Sequence, residues 1–233
     1  SLGGEAEKVQ VTGNIKFDLG ALSLKFDAAG LRLTRDEQLL DCGSTHPGEE
    51  EIILKVYQRI IKEYPCLRLL IASRHPERAV EIQKIVQKYG FTPVRTSQSS
   101  GATAAQKKEV FILDTVGELI SYYAIADIVF VGGSLVKTGG HNILEPASLE
   151  KPILFGPHMF NFRDIAELFL SRQAAIMVHT PEELGAAIIR LLNNNKEAQA
   201  LAGRARALLL ENRGATQRCI EYIRKAVVSI PGL

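Results

Sequence analysis

The sequence predicts an α/β protein: a Rossmann-like parallel sheet with helices on both faces. Three observations carry that prediction. Short apolar runs such as LRLLIAS (67–73) and DIVFVGGS (127–134) alternate with longer segments of helical period. Strands separated by crossovers of that length lie parallel, and the crossovers turn right-handed. Pro47 and Pro76 each follow a strand and open an amphipathic segment, the signature of repeated strand-to-helix units. In open sheets of this kind ligands bind beyond the carboxyl ends of the strands.

Composition narrows the field. The 233 residues are 46% hydrophobic and 23% charged, which suits a globular protein with a sizeable core, either one large domain or two small ones. A net charge of +2, with no basic cluster interleaved with aromatics, argues against nucleic acid. Cys42, Cys66 and Cys219 are odd in number and widely spaced, without metal-site companions; they read as buried thiols in a reducing compartment. No apolar run reaches the roughly 18 residues of a membrane helix, so the expectation is a soluble domain. The opening lacks Met and enters inside a loop-to-strand pattern, as expected of a domain cut from a longer protein.

Taken in order, KVQVTGNIKF (8–17) reads as a short strand with a turn or bulge at Thr12-Gly13-Asn14, and 18–36 as a linker with a helical turn. QLLDCG (38–43) is a strand. The following segment to Pro65 is a helix, with Pro47 at its first position and Glu49 and Glu50 at its positive end. Ile52, Ile53, Val56, Ile60 and Ile61 form its apolar face. LRLLIAS is a buried strand, and the helix from Arg74 stops at Gly90. FTPVRT is a short strand and 97–108 a polar, mobile loop. VFIL, a helix over 114–126, DIVFVGGS and the segments to Asn195 continue the alternation, and helices over about 196–212 and 215–229 close the chain.

The stretch Phe130–Pro157 carries the strongest functional signal. An apolar run ends in Gly132, Gly133 and Ser134, and a second pair, Gly139 and Gly140, leads into a helix expected to start near Asn142. Glycines let backbone N–H groups approach an anion, and a helix start favours negative charge. Val131 and Val136 occupy the positions where a P-loop needs glycine, and no G-x-G-x-x-G unit with its downstream acid is present. Glu145, three residues after Asn142, is placed to accept from ribose hydroxyls one turn in; a first-turn glutamate favoured only by the dipole remains open. His141 is a helix cap or a ligand contact. Arg74, just past a strand, can reach a phosphate or pair with a carboxylate. Ser44, Thr45 and His46 hold the equivalent place in the preceding unit, where capping is the expected role. Ser44, Arg74, Ser134 and Gly156 all follow strand ends and are expected to share one crevice. GPHMFNF (156–162) is a turn of packing residues or a nucleotide flank.

Together, TGNIKFD (12–18), STHPGEEE (44–51), RHPER (74–78), VGGSLV (131–136), GGHNILEP (139–146) and KPILFGPHMFNF (151–162) closely resemble the C-terminal half of the 3-deoxy-D-manno-octulosonic acid (Kdo) transferases of Gram-negative bacteria. The resemblance runs through nearly the whole chain and is weakest at 97–108. It implies a single Rossmann-like donor-binding domain over 1–233, the C-terminal domain of a GT-B glycosyltransferase. Residues 1–36 would then be interdomain linker and first strand, and 215–229 a helix crossing back to the N-terminal domain. It implies CMP-Kdo as donor substrate, no cofactor and no metal. A lipid A precursor would be the acceptor, reached through the N-terminal domain at the cytoplasmic face of the inner membrane. By resemblance, Glu145 holds the ribose, Asn142 and the Gly139-Gly140-His141 turn line the phosphate, and Arg74 stabilises the leaving CMP. Ser44, His75, Gly132, Gly133 and Ser134 shape the pocket, and Met159 flanks the nucleotide. The catalytic base, a glutamate near the start of the family's N-terminal domain, would lie outside this chain. Another GT-B-like UDP-sugar transferase or epimerase, or a non-catalytic nucleotide-binding module, are the alternative readings.

Overall fold

The computed structural model describes residues 9–20, 31, 33–98 and 108–228. Among them seven strands form one sheet: β1 Gln38–Thr45, β2 Leu67–Ser73, β3 Thr92–Arg95, β4 Glu109–Leu113, β5 Ile128–Val131, β6 Ile153–Phe155 and β7 Ile176–Met177. The order is β3-β4-β2-β1-β5-β6-β7, and every pairing is parallel. The chain builds outward from β1 to β2 and beyond, then returns to place β5 on the other side of β1. That reversal opens a crevice at the carboxyl ends of β1 and β5.

Helices α1 Glu49–Ile60, α2 Ala79–Lys88 and α6 Pro181–Asn193 cover one face, where Leu54, Tyr57, Ile82, Val86 and Leu184 pack on Leu40, Ile71 and Phe130. The other face carries α3 Leu119–Ile125, α4 Leu144–Ser148, α5 Arg163–Ser171 and part of α7 Asn195–Glu211, over Leu39, Phe111 and Phe155. Strands buried on both faces explain why the sequence shows continuous apolar runs. Emptying a site such as Phe130, fully buried, removes about 3–5 kcal/mol of stability.

Several boundaries differ from the sequence reading. No strand forms over described residues 9–17; Ile15–Phe17 is a 3-10 turn, because Gly13 sits at φ 96° and the Asn14 side chain accepts from Lys16 N at 3.0 Å. The turn chemistry wins because Val9 and Val11 are exposed, with no neighbouring strand. Helix α1 starts at Glu49, after a Pro47-Gly48 turn in which Gly48 holds φ 93°. Most of the loop expected at 97–108, and residues 21–30 of the expected linker, lie outside the described residues. Of the cysteines only Cys42 is buried; Cys66 is exposed, and Cys219 is half-buried with its thiol 3.0 Å from Thr12 Oγ1.

The last helix, α8 Ala215–Val228, is fastened to the incoming segment. Asp18 accepts from Gly214 N and Thr216 N, each at 2.6 Å, and Arg218 donates to Thr12 O at 2.8 Å. These N–H donors hold the Asp18 carboxyl below its usual range. Ile220, Tyr222 and Ile223 of α8 are exposed.

Candidate functional site

The ends of β1, β2, β4 and β5 surround a cleft of about 350 Å³. Ser44 and Arg74 stand on one side, His141, Asn142 and Glu145 on the other. Gly117, Leu119, Ile120 and Tyr123 supply the third wall.

Each wall has a local cause. Ser44 interrupts the register between β1 and β2 and takes φ 57°, the left-handed region that few non-glycine residues enter. Arg74 is anchored by its backbone, Arg74 N to Thr45 O at 3.0 Å. Its guanidinium is exposed and has no hydrogen-bond or salt-bridge partner among the described residues. The carboxylate pairing falls instead on Arg78, which donates to buried Glu50 Oε1 at 2.8 Å and to Glu81 at 2.8 Å. Thr45 Oγ1 reaches the same Glu50 oxygen at 3.0 Å. The two prolyl motifs are therefore tied together behind the cleft, and Arg74 is left to face into it. The floor depends on Gly43: a Cβ there would collide with the Tyr123 hydroxyl.

On the far wall Asn142 Oδ1 accepts from Leu144 N at 3.1 Å, while its Nδ2 donates to Glu145 Oε1 at 3.1 Å. Asn142 therefore both caps the turn and orients the carboxylate. Burial raises the Glu145 carboxyl above its usual range, against the pull of Asn142 and Arg74. Helix α4 runs only from Leu144 to Ser148, shorter than expected from a start at Asn142, so its dipole is small. His141 does not cap it. Its Nε2 lies 2.8 Å from His46 Nε2, and burial, then the neighbouring His46, push it down to about 4.

The first glycine pair behaves otherwise than the sequence implied. Gly133 N, Ser134 N and Leu135 N all point at the Glu49 carboxylate, at 2.6, 3.0 and 2.8 Å, and His46 N joins them at 3.0 Å. The turn does bind an anion, but the anion is the protein's own. Glu49 and Glu50, expected as acids serving a helix start, are both fully buried. Ser134 is fully buried too: its hydroxyl donates to Val131 O at 2.5 Å and accepts from Gly156 N at 2.8 Å, so Ser134 and Gly156 join β5 to β6 behind the crevice. Gly132 lies against the Ser44–Thr45 backbone with no room for a Cβ. Gly140 N donates to Gly133 O at 2.7 Å, and Gly139 O accepts from Asn161 N at 3.0 Å, closing this loop on itself. Met159 is buried beneath Gly140 and belongs to a separate hollow of about 410 Å³ beyond β6. His75 is exposed beside the cleft, its ring edge-on to His46 at 6.0 Å. Ser44, Thr45 and His46 make no side-chain cap on α1.

The comparisons with known proteins follow this geometry. Residues 95–208 match the family model described as "Glycosyl transferases group 1". The chain is 38% identical over 228 residues to the 3-deoxy-D-manno-octulosonic acid transferase of Haemophilus influenzae, covering 96% of this chain and 53% of that protein. The crystal structure of the C-terminal CMP-Kdo binding domain of WaaA from Acinetobacter baumannii superposes with a TM-score of 0.70 at 30% identity, over 75% of this chain and 90% of that one. The chain belongs to the 3-deoxy-D-manno-octulosonic acid transferase family. Its fold is the Rossmann-like C-terminal domain of a GT-B glycosyltransferase. The chain spans about half the length of the curated relatives it matches. A Staphylococcus aureus MnaA structure with UDP, 16% identical with a TM-score of 0.63 over 98% of this chain, shares the fold.

For a Kdo transferase family member the cleft contains more than the sequence announced. Tyr123 and the Gly117–Ile120 segment carry no motif that marks them, and His46, inside STHPGEEE but expected only as a cap, meets His141 instead. Gly43 of β1 packs against Tyr123 with no room for a Cβ, a contact that the strand reading of QLLDCG did not foresee. Among the described residues no group of three or more His, Cys, Asp or Glu side chains is placed to hold a metal, and no helix is long and apolar enough to cross a membrane.

Proposed function

We propose that this chain is the CMP-Kdo-binding half of an inverting glycosyltransferase that passes Kdo to a lipid A precursor. The observation that carries the reading is the unpaired Arg74 guanidinium facing a cleft that also holds the oriented Asn142–Glu145 pair, in a chain 30% identical to a CMP-Kdo binding domain. Glu145, an acceptor with its second oxygen open to the cleft, takes the ribose hydroxyls. Arg74 and His141 meet the phosphate, with Ser44 and His75 at its margin and Asn142 holding Glu145 in place. Gly132, Gly133, Ser134, Gly139, Gly140 and Met159 act from behind, by fixing the loop that presents His141.

Breaking the sugar–phosphate bond leaves charge on CMP, and an unpaired guanidinium at the cleft is available to meet that charge. The attacking hydroxyl needs a base, supplied in this proposal by a glutamate of a preceding domain. This chain alone then binds donor without transferring sugar. The exposed Ile220, Tyr222 and Ile223 of α8 suit packing against that preceding domain, which also provides the acceptor groove and the association with the cytoplasmic face of the inner membrane. In this arrangement 1–233 is one donor domain, 1–36 its linker and 215–229 its crossing helix.

Calorimetric titration with CMP and with UMP tests the reading. Saturable binding that prefers CMP, and that weakens about tenfold or more in Glu145→Ala, a loss of roughly 1.4 kcal/mol or more, is the expected result. Equal or stronger binding of UMP moves the chain to the UDP-sugar enzymes, and no binding of either nucleotide overturns the assignment.

A further inference from the structure

His46, at the end of β1, and His141, in the loop after β5, meet Nε2 to Nε2 at 2.8 Å, with ring planes 7° apart and centroids 5.0 Å apart. Near-parallel planes with the two nitrogens this close describe an end-to-end N–H···N bond. Such a bond has strict proton arithmetic. One ring donates through Nε2–H and keeps a free Nδ1; the other accepts at Nε2 and carries its proton on Nδ1. A single further proton fits, on the donor's free Nδ1, without breaking the bond. A second would set two N–H groups against each other.

The charged and titratable groups around the pair are Arg74 and His75 after β2, Arg78 before α2, Glu49 of α1 and Glu145 of α4. Glu49 is occupied by N–H donors and Arg78 by Glu50 and Glu81, so Arg74 is the open cation on the cleft side. Burial and these cations lower both imidazoles in the empty cleft, which leaves the pair neutral beside Arg74.

We propose that the His46–His141 pair is a one-proton acceptor coupled to donor binding: when the phosphodiester of a nucleotide sugar enters beside His141 and Arg74, the pair takes one proton from solvent and becomes a monocation. His141 faces the ligand; His46 is a positioning residue that fixes the tautomer of His141 and supplies the second half of the proton site. The inference rests on the nucleotide-sugar reading and adds to it a charge that appears only when the anion is present. Leaving-group charge is thereby met by two cations, one permanent and one recruited.

The test uses the methyl ester of CMP, whose phosphodiester does not titrate near neutrality. Its binding is followed by calorimetry in buffers of different ionisation enthalpy between about pH 5.5 and 7.5, the range in which a histidine changes charge. The wild-type chain is expected to take up a proton count that rises toward one as the pH falls, with affinity increasing by at most about tenfold per pH unit. In His46→Gln and His141→Gln one imidazole is left without its partner, and each variant is expected to bind with clearly less proton uptake than the wild type and a flatter pH profile. Wild-type binding without uptake overturns the proposal, as does uptake at the full wild-type level in His46→Gln. Should a variant fail to fold, His75→Gln, at the exposed imidazole beside the pair, decides: uptake that disappears with it overturns the proposal, and uptake that survives it supports the pair. Absence of saturable binding at every pH overturns the nucleotide reading itself, and the proposal with it, a result distinct from binding without uptake.

Discussion

Glu49 and Glu145 both begin helices that follow strands ending at the same crevice, and both are withdrawn from solvent, yet they do opposite work. Glu49 accepts from four backbone N–H groups, three of them in the 133–135 loop that seals it and the fourth that of His46. Glu145 accepts from Asn142 alone and looks into open space. The arginines repeat the contrast, with Arg78 locked onto Glu50 and Glu81 and Arg74 unpaired. A cleft that presents unpaired charge needs a wall in which charges are paired, because only a rigid wall keeps its groups from collapsing onto one another.

The largest effect is expected from breaking the sealed side. Glu49→Ala strands Gly133 N, Ser134 N and Leu135 N in a buried site, each costing about 1–3 kcal/mol when unsatisfied. Allowing for relaxation and water entry, a loss of about 3–5 kcal/mol is expected in urea unfolding; a loss below about 1 kcal/mol would show that the loop holds itself. Arg74→Ala tests the open side. Its stability is expected within about 0.5 kcal/mol of the parent, while CMP affinity falls by about 2 kcal/mol, the worth of a charge-assisted bond. A Tm loss as large as that of Glu49→Ala would mean that Arg74 is structural after all.

Fold and site were legible to different depths. The sheet and its helices followed from period and punctuation, since β2 is apolar but for Arg68 and Ser73 and α6 opens on a Thr180-Pro181 cap. Arg74, Asn142 and Glu145 were legible because strand ends and helix starts can be counted. Glu49 was not: a glutamate in a first helical turn looks the same whether it serves the dipole or clasps a loop 84 residues away. His46 finds its partner 95 residues on, and no local rule spans that distance. The strand expected at 8–17 failed for the converse reason, because alternation specifies a strand only where a neighbouring edge accepts it.

The smallest effect sharpens the comparison most. Burial holds the Glu145 carboxyl above its usual 4.5, so its ionised form is disfavoured in the empty fold. With a folded pKa above the unfolded one, the protonated acid stabilises the fold at pH below about 4.5, and that contribution is lost as the pH rises through the folded value. Glu145→Gln is therefore expected to match or slightly raise the Tm at pH 7 while weakening CMP binding, with the Tm advantage vanishing toward pH 4. A clear destabilisation at pH 7 would place Glu145 with Glu49 among the sealed acids.

The Glu49 clasp also governs how segments of such chains can be exchanged. It grips main-chain N–H groups, so the grip uses no side chain of the 133–135 loop and depends on the path the loop takes. A chimera with its junction anywhere between α1 and α3 inherits the carboxylate from one parent and the loop from the other, and it keeps the clasp as long as the loop lengths agree. A single residue inserted beside Gly133 would shift that path and undo the clasp.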